Sequence, residues 1–378
     1  MVTYPEDWTP MQLKDLGHIQ MCRRIFQSQT KAYGAIPFYK ISTFGSKADA
    51  YISQELYEQY KALYPYPEKG DVLISAAGTV GKTVIFDGKD SYFQDSNIVW
   101  LKVDKNAIDR KFLWWFYRSY PWEALEGTTI QRLYNSIILK TEIHLPDKPE
   151  QEIIARTLSQ FDAYIDDLAE LIEKKRGIRD GAINDLLSAR TRILGFNKNL
   201  TRAQIGDCII VKRGKRVTRN QLAESPRGSE IFPVYQNSVE PLGYYKESNC
   251  PPESAFIIAA GNAGSIGFLN VAFWAADDCY YFEPRTAIHQ KYLYYALMNN
   301  QQEINSQTRR TSIPRLSREN VEQINILLPC IDEQKAIADV LTAMDEEIEA
   351  LEIERDKMIQ IREGAMDDLL TGRVRLSV

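Results

Sequence analysis

QEIIARTLSQFDAYIDDLAELIEKKRGIRDGAINDLLSARTRI, residues 151–193, returns 183 positions later as QKAIADVLTAMDEEIEALEIERDKMIQIREGAMDDLLTGRVRL, residues 334–376, with no gap. Ile154, Ala155, Leu158, Asp162, Ile165 and Leu168 match Ile337, Ala338, Leu341, Asp345, Ile348 and Leu351. Towards the far ends, Ile178-Arg179, Gly181-Ala182 and Asp185-Leu186-Leu187 match Ile361-Arg362, Gly364-Ala365 and Asp368-Leu369-Leu370. Self-similarity at one large, fixed offset marks a duplicated fold.

Each copy reads as one long helix. Ile154, Leu158, Phe161, Ile165, Leu168 and Ile172 follow a 4-3-4-3-4 spacing, and Ile337, Leu341, Met344, Ile348 and Leu351 repeat it until Arg355. Such a heptad-type stripe is too narrow for a lone helix to bury, so it needs a partner. The other copy is the simplest partner, and packing of each helix on its own domain is the alternative. At 35–40 residues such a helix would be roughly 55 Å long.

The repeat extends upstream. Ala76-Ala77-Gly78 matches Ala259-Ala260-Gly261, Gly81 matches Gly264, Asp95 matches Asp278, Arg132-Leu133 matches Arg315-Leu316 and Pro146 matches Pro329, all at the same offset. Ile36-Pro37-Phe38-Tyr39 resembles Phe232-Pro233-Val234-Tyr235 at an offset of 196, so the first half carries extra residues before Ala76. We assign that surplus to a polar, tyrosine-rich loop within SKADAYISQELYEQYKALYPYPEKG. DVLISAAG (71–78) and SAFIIAAG (254–261) read as buried strands, and KFLWWFYRSY (111–120) and QKYLYYALMNN (290–300) as short helices. The fold class expected is α+β, with an internal pseudo-twofold duplication. Two similar globular parts, 1–150 and 194–333, are separated and joined by antiparallel helices, 151–193 and 334–378, that form a coiled coil.

With 378 residues the chain can bury two cores. It has no apolar run of about 20 residues, MVTYPEDWTP does not read as a signal peptide, and Cys22, Cys208, Cys250, Cys279 and Cys330 are scattered. A cytoplasmic protein with reduced thiols and no metal site is expected. The net charge of −5 hides a division. Residues 202–227 are strongly basic, whereas the second helix carries Asp339, Asp345, Glu346, Glu347, Glu349, Glu352, Glu354 and Asp356 against Lys335 and Arg355. That division points to two kinds of partner.

Two motifs invite enzyme readings that fail. AAGTVGKT (76–83) approaches the phosphate-cradling loop, but Ala76 replaces its first glycine and TVIFDGK reads as strand where a helix is required. Asn249-Cys250-Pro251-Pro252 approaches an amino-methyltransferase tetrad, yet Cys250 interrupts it and Glu253 follows the prolines. No nucleophile–base constellation stands out, and we expect no catalytic residue and no cofactor bound by this chain.

Recognition chemistry remains. VKRGKRVTRNQ (211–221) sets Lys212, Arg213, Lys215, Arg216 and Arg219 around Gly214, a pattern suited to phosphates and guanine edges. Gln236, Asn237 and Asn262 are suited to adenine. Gln131-Arg132 and Arg309-Arg310, with Arg315, occupy equivalent polar stretches of the two halves. Arg23, Arg24, Lys31, Lys40, Lys47 and Lys82 are the thinner set of the first half. Any one of these is more often a plain surface cation. Their recurrence at matching places favours paired DNA-facing loops.

The succession of globular part, long helix, second globular part and second long helix resembles the specificity subunit of type I restriction-modification enzymes. LPDKPEQEIIARTL and LPCIDEQKAIADVL, AINDLLSARTRIL and AMDDLLTGRVRLS, ISAAGTVGKT and KRGKRVT carry the resemblance, and Asp147-Lys148-Pro149-Glu150 is more polar than the usual helix approach. The resemblance implies a non-catalytic, sequence-specific DNA-binding subunit. Each globular part would be a target recognition domain reading half of an asymmetric bipartite site, with half-sites about 34 Å apart on one face of the duplex. It also implies that the helices set the spacing and dock two modification (methyltransferase) subunits that bind S-adenosylmethionine. Restriction subunits, a motor and nuclease using ATP and Mg, would join that core. Two rival readings exist: a coiled-coil scaffold with two protein-binding domains and no DNA role, and a single-chain restriction enzyme with a fused methyltransferase.

Overall fold

The computed structural model describes residues 3–122, 132–308 and 314–376. The chain divides into two compact units, Met1–Ala169 with Glu354–Val378, and Glu170–Ile353. Each unit therefore contains one globular domain and a half of each long helix.

In the first domain a four-stranded antiparallel sheet has the order Gly17–Met21, Ile98–Val103, Val72–Ser75, Thr83–Ile85. A three-stranded sheet has the order Ala50–Ile52, Ile36–Tyr39, Tyr92–Phe93, its last pair parallel. Thr9–Gln12 pairs with Glu142–Leu145. The second domain repeats this topology. Ile209–Arg213, Cys279–Pro284, Ser254–Ile258 and Ile266–Leu269 make the larger sheet, and Gly243–Tyr245, Phe232–Tyr235 and Trp274–Ala275 the smaller. Thr201–Gln204 pairs with Asn325–Leu328. The predicted short helices appear as Arg110–Ser119, which Asp109 caps by accepting from the Phe112 amide at 2.9 Å, and Gln290–Asn299.

One expectation needs correction. The surplus of the first half is no loop: it contains the helix Gln54–Leu63, started by Ser53 accepting from the Leu56 amide. Leu56, Tyr57 and Tyr60 turn inward because tyrosine hides a large ring behind its polar tip, and Tyr57 is fully buried. The second domain repeats the preceding edge strand, Gly243–Tyr245 for Ala50–Ile52, and passes to Ser254–Ile258 with no helix between.

The long helices run Lys148–Leu187 and Ile331–Leu370, 40 residues each or roughly 60 Å. The predicted stripe is inward. Ile154, Leu158 and Leu168 are buried with Phe161 and Ile165 partly so, while Ile337, Leu341 and Ile348 are buried with Met344 and Leu351 partly so. Within each unit the helix halves are antiparallel. In the first, Tyr164 donates to Glu354 and Arg362 to Asp162 at 2.7 Å. In the second, Arg176 donates to Glu352 and Arg179 to Asp345 at 2.9 Å. The stripe also serves its own domain, so both predicted modes of packing coexist. Ile154, Ala155 and Leu158 join a core with Trp115 and Leu113, and Ile337, Ala338 and Leu341 join one with Leu293 and Tyr295. Burial of rings of this size contributes several kcal/mol each, on the order of 3–5 when truncated to alanine.

The helix starts carry a repeated lock. Gln151, buried, donates to Pro146 O and accepts from the Asp109 amide; Gln334 does the same with Pro329 O and the His289 amide. Buried Glu150 holds Arg375, and buried Glu333 holds Arg192. Asp147 accepts from the Glu150 amide at 2.9 Å. The unusually polar Asp147-Lys148-Pro149-Glu150 is therefore a helix cap with proline in the first turn.

Candidate nucleic-acid interface

At one end of each larger sheet the same pieces meet. In the first domain Val72–Ser75 and Gly17–Met21 run towards this end, and Ile98–Val103 leaves from it, with Ser75 opposite Ile98 and Met21 opposite Val99. Arg23 and Arg24, the turn 76–82, Asp95–Asn97 and Arg132 are gathered here. Arg24 pairs with Asp95 at 2.7 Å, Arg132 bridges Ala77, and the Leu133 amide donates to Ala76 O at 2.8 Å. In the second domain Arg213 donates to Asp277 O at 2.6 Å beside Asp278, Arg315 bridges Ala260, and the Leu316 amide donates to Ala259 O at 2.8 Å.

The turn at 76–82 joins two antiparallel strands, and no helix follows it. Ser75 Oγ accepts from the Lys82 amide at 2.9 Å and donates to Thr79 O, while Gly78 and Gly81 take positive φ. Lys82 is exposed and its stem lies over Gly45, close to exposed Lys47. The Asn249 motif is structural too. Its side chain donates to Ala275 O at 2.8 Å and accepts from the Ala275 amide at 2.7 Å, closing the strand edge.

A register that sequence reading missed lies in the basic turns. Arg23-Arg24-Ile25-Phe26-Gln27-Ser28-Gln29 superposes on Lys215-Arg216-Val217-Thr218-Arg219-Asn220-Gln221, each a dibasic pair before a buried aliphatic and a 3-10 turn. Gln29 accepts from the Phe26 amide at 2.9 Å and Gln221 from the Thr218 amide at 3.0 Å. The signal was a basic pair followed by Ile or Val and, four residues on, Gln.

Of the sequence-predicted contacts, Arg23, Arg24, Lys82 and Arg132 come together in the first domain, with Lys47 on the adjoining loop. Arg213, Lys215, Arg216, Arg219, Asn237, Asn262 and Arg315 lie on the corresponding end of the second, all exposed. Asn237 and Asn262 are neighbours, the Asn262 amide donating to Asn237 O at 2.9 Å. Gln236 is turned to Asp277. Lys212 stands apart: it sits within its strand and pairs with Glu283 at 3.4 Å across the sheet. Gln131, Arg309 and Arg310 lie outside the described residues. Among those described, no group of His, Cys, Asp and Glu is arranged to hold a metal ion and no helix is long and apolar enough to cross a membrane.

Comparison with known proteins agrees with this geometry. The family model for the type I restriction modification DNA specificity domain matches twice, over residues 5–175 and 197–359. A provisionally named type I restriction enzyme specificity subunit from Haemophilus influenzae is 51% identical over 160 residues, 42% of each chain. One from Methanocaldococcus jannaschii, also provisionally named, is 25% identical over 413 aligned positions, covering 98% of this chain and 95% of that one. The crystal structure of the type I restriction-modification S subunit from M. genitalium shares the fold with a TM-score of 0.69 at 21% identity, covering 98% and 97%. Two family matches spanning most of the sequence, on a duplicated fold with two long helices, place the chain among the type I restriction-modification specificity subunits, with two target recognition domains.

Proposed function

We propose that each target recognition domain binds one half of an asymmetric bipartite DNA sequence through the sheet end bearing its dibasic turn. The recurrence of that turn, of the Ala77–Arg132 and Ala260–Arg315 bridges and of a cation beside Asp95 and Asp278 carries the reading. Cations fix the register on phosphates, while Arg, Asn and Gln side chains read base edges. The long helices set the half-site spacing and dock two methyltransferase subunits. Their exposed apolar residues, among them Ile178, Val340, Ile353 and Ile361, support that second role. In this reading the chain is non-catalytic and binds no cofactor itself. S-adenosylmethionine belongs to the modification subunit, and ATP and Mg to the restriction subunit.

Methylation mapping tests it. The chain is co-expressed with its modification subunit and modified bases are located genome-wide. A two-part motif with an unspecified gap is expected, lost when this chain is omitted, with exchange of the first domain altering one part only. Unchanged sites without this chain would defeat the reading.

A further inference from the structure

Beside the dibasic turn the first domain has a hollow of about 510 Å³, lined among others by Arg23, Arg24, Phe26, Tyr60, Tyr64 and Asp95. The helix Gln54–Leu63, which the second domain lacks, supplies its aromatic wall. Tyr60 is half-buried and set edge-on to Tyr64 with centroids 5.3 Å apart. Tyr64 is 36% exposed and Phe26 is 60% exposed. Arg23 lies over the Tyr64 ring at 5.2 Å and, among the described residues, makes no ion pair. At the rim Arg24 and Asp95 set a donor next to an acceptor at 2.7 Å.

Rings that only anchored the helix would be covered, as Tyr57 is. Here two large rings stay in water next to two guanidinium groups. Flat aromatic walls with cations suit a flat, electron-rich ring on an anionic chain, and stacking of this kind accepts any base. A donor beside an acceptor matches the edge of a base, which presents both. In the second domain Thr218 stands where Phe26 does and Arg219 where Gln27 does, so that turn offers charge in place of rings.

We propose that this hollow takes the ring of one base of the first half-site, stacked against Tyr64 and met at its edge by Arg24 and Asp95. The proposal rests on the reading of the chain as DNA-binding. The full-length chain with its modification subunit is titrated with duplexes of the mapped target in which 2-aminopurine replaces each base in turn. One position in the half-site of the first domain should change its fluorescence on binding. Phe26→Ala and Tyr64→Ala should abolish that change and weaken binding roughly 10-fold, while Tyr64→Phe, which keeps the ring, restores both. Tight binding with no Tyr64-dependent position, or Tyr64→Ala binding within about twofold of the wild type, overturns the pocket alone. Failure of the wild-type complex to bind the duplex overturns the pocket and the DNA reading together.

Discussion

The two domains share a strand order and a basic turn, yet they surround that turn with different matter. The first backs Arg23-Arg24 with Phe26 and with Tyr60 and Tyr64 at the end of the helix Gln54–Leu63; the second exposes Lys215, Arg216 and Arg219 on a turn held to the strand Trp274–Ala275. The framework is duplicated, and the chemistry beside it is where the copies diverge. Cores tolerate little change in volume, whereas an exposed loop can change charge and rings at small cost in stability. An asymmetric target is what such a pair is fitted to read.

The largest expected effect separates the two turns by backbone alone. At Gly214 an added Cβ would stand 2.1 Å from Ala276 O and 2.3 Å from Ala275 O, where the loop crosses the neighbouring strand. Gly214→Ala should displace the second basic turn and cost about 4 kcal/mol, read as lost amide protection in residues 209–219 and 274–279 by hydrogen exchange. The first domain has Cys22 at the matching place, buried, with its thiol pushed up to about 12 chiefly by burial. Cys22→Ala should leave its turn in place. Equal loss of protection in the two variants would show that the turns are not built alike.

A smaller difference lies where the domains grip the helices. Asp162 accepts from Arg118 at 2.6 Å and from Arg362 at 2.7 Å; Asp345 accepts from Arg179 at 2.9 Å and from the Tyr295 hydroxyl at 2.6 Å. Among the described residues, Asp162→Asn leaves Arg118 without an acid and Arg362 with Glu363 at 3.9 Å, and should cost about 3 kcal/mol; Asp345→Asn leaves Arg179 its bonds to Asp180 and should cost about 2 kcal/mol. Denaturant melts followed by peptide-resolved exchange rank them. The reverse order would mean that the tyrosine carries the second junction.

Next come the charges themselves. If the second turn holds phosphates, Lys215→Ala with Arg216→Ala and Arg219→Ala should weaken binding roughly 100-fold near physiological salt and lower the slope of log affinity against log salt by about 3. Arg23→Ala with Arg24→Ala should give roughly 30-fold and about 2. Equal slopes for the two sets would erase the proposed contrast between a charge-led and a ring-led half.

What the sequence made legible was local or repeated. The heptad spacing and the strand after AAGTVGKT depend on neighbours in the chain, and the 183-residue offset on repetition, so helices, hairpin and duplication were all readable. The helix Gln54–Leu63 was missed because its inward face is built from tyrosines, which count as polar until their rings are seen packed. The Glu150–Arg375 pair joins residues 225 apart, and nothing in either neighbourhood names the other. The aromatic hollow was hidden for the same reason: Phe26 and Tyr64 meet only once the sheet has brought their loops together.

The smallest effect concerns pH. Tyr57 is buried and donates to Asp90 at 2.6 Å, so burial first and that carboxylate second push its hydroxyl up to about 12 from 10. A phenol that is harder to ionise when folded stabilises the first unit fully below pH 10, and the contribution disappears as pH rises from 10 to about 12. In Tyr295 of the second unit burial, then Asp345, also raises the hydroxyl, there at the junction with the helix. Of the six tryptophans only Trp274 lies in the second unit, so Trp274→Phe leaves fluorescence that reports the first alone. In that background Tyr57→Phe should cost about 1 kcal/mol at pH 7 and flatten part of the decline in urea midpoint between pH 10 and 12. Tyr295→Phe should leave this fluorescence-monitored decline unchanged. A decline of unaltered steepness in Tyr57→Phe would assign the alkaline sensitivity of the first unit to Cys22, Tyr66, Tyr92 and Tyr117, whose pKa values burial also raises.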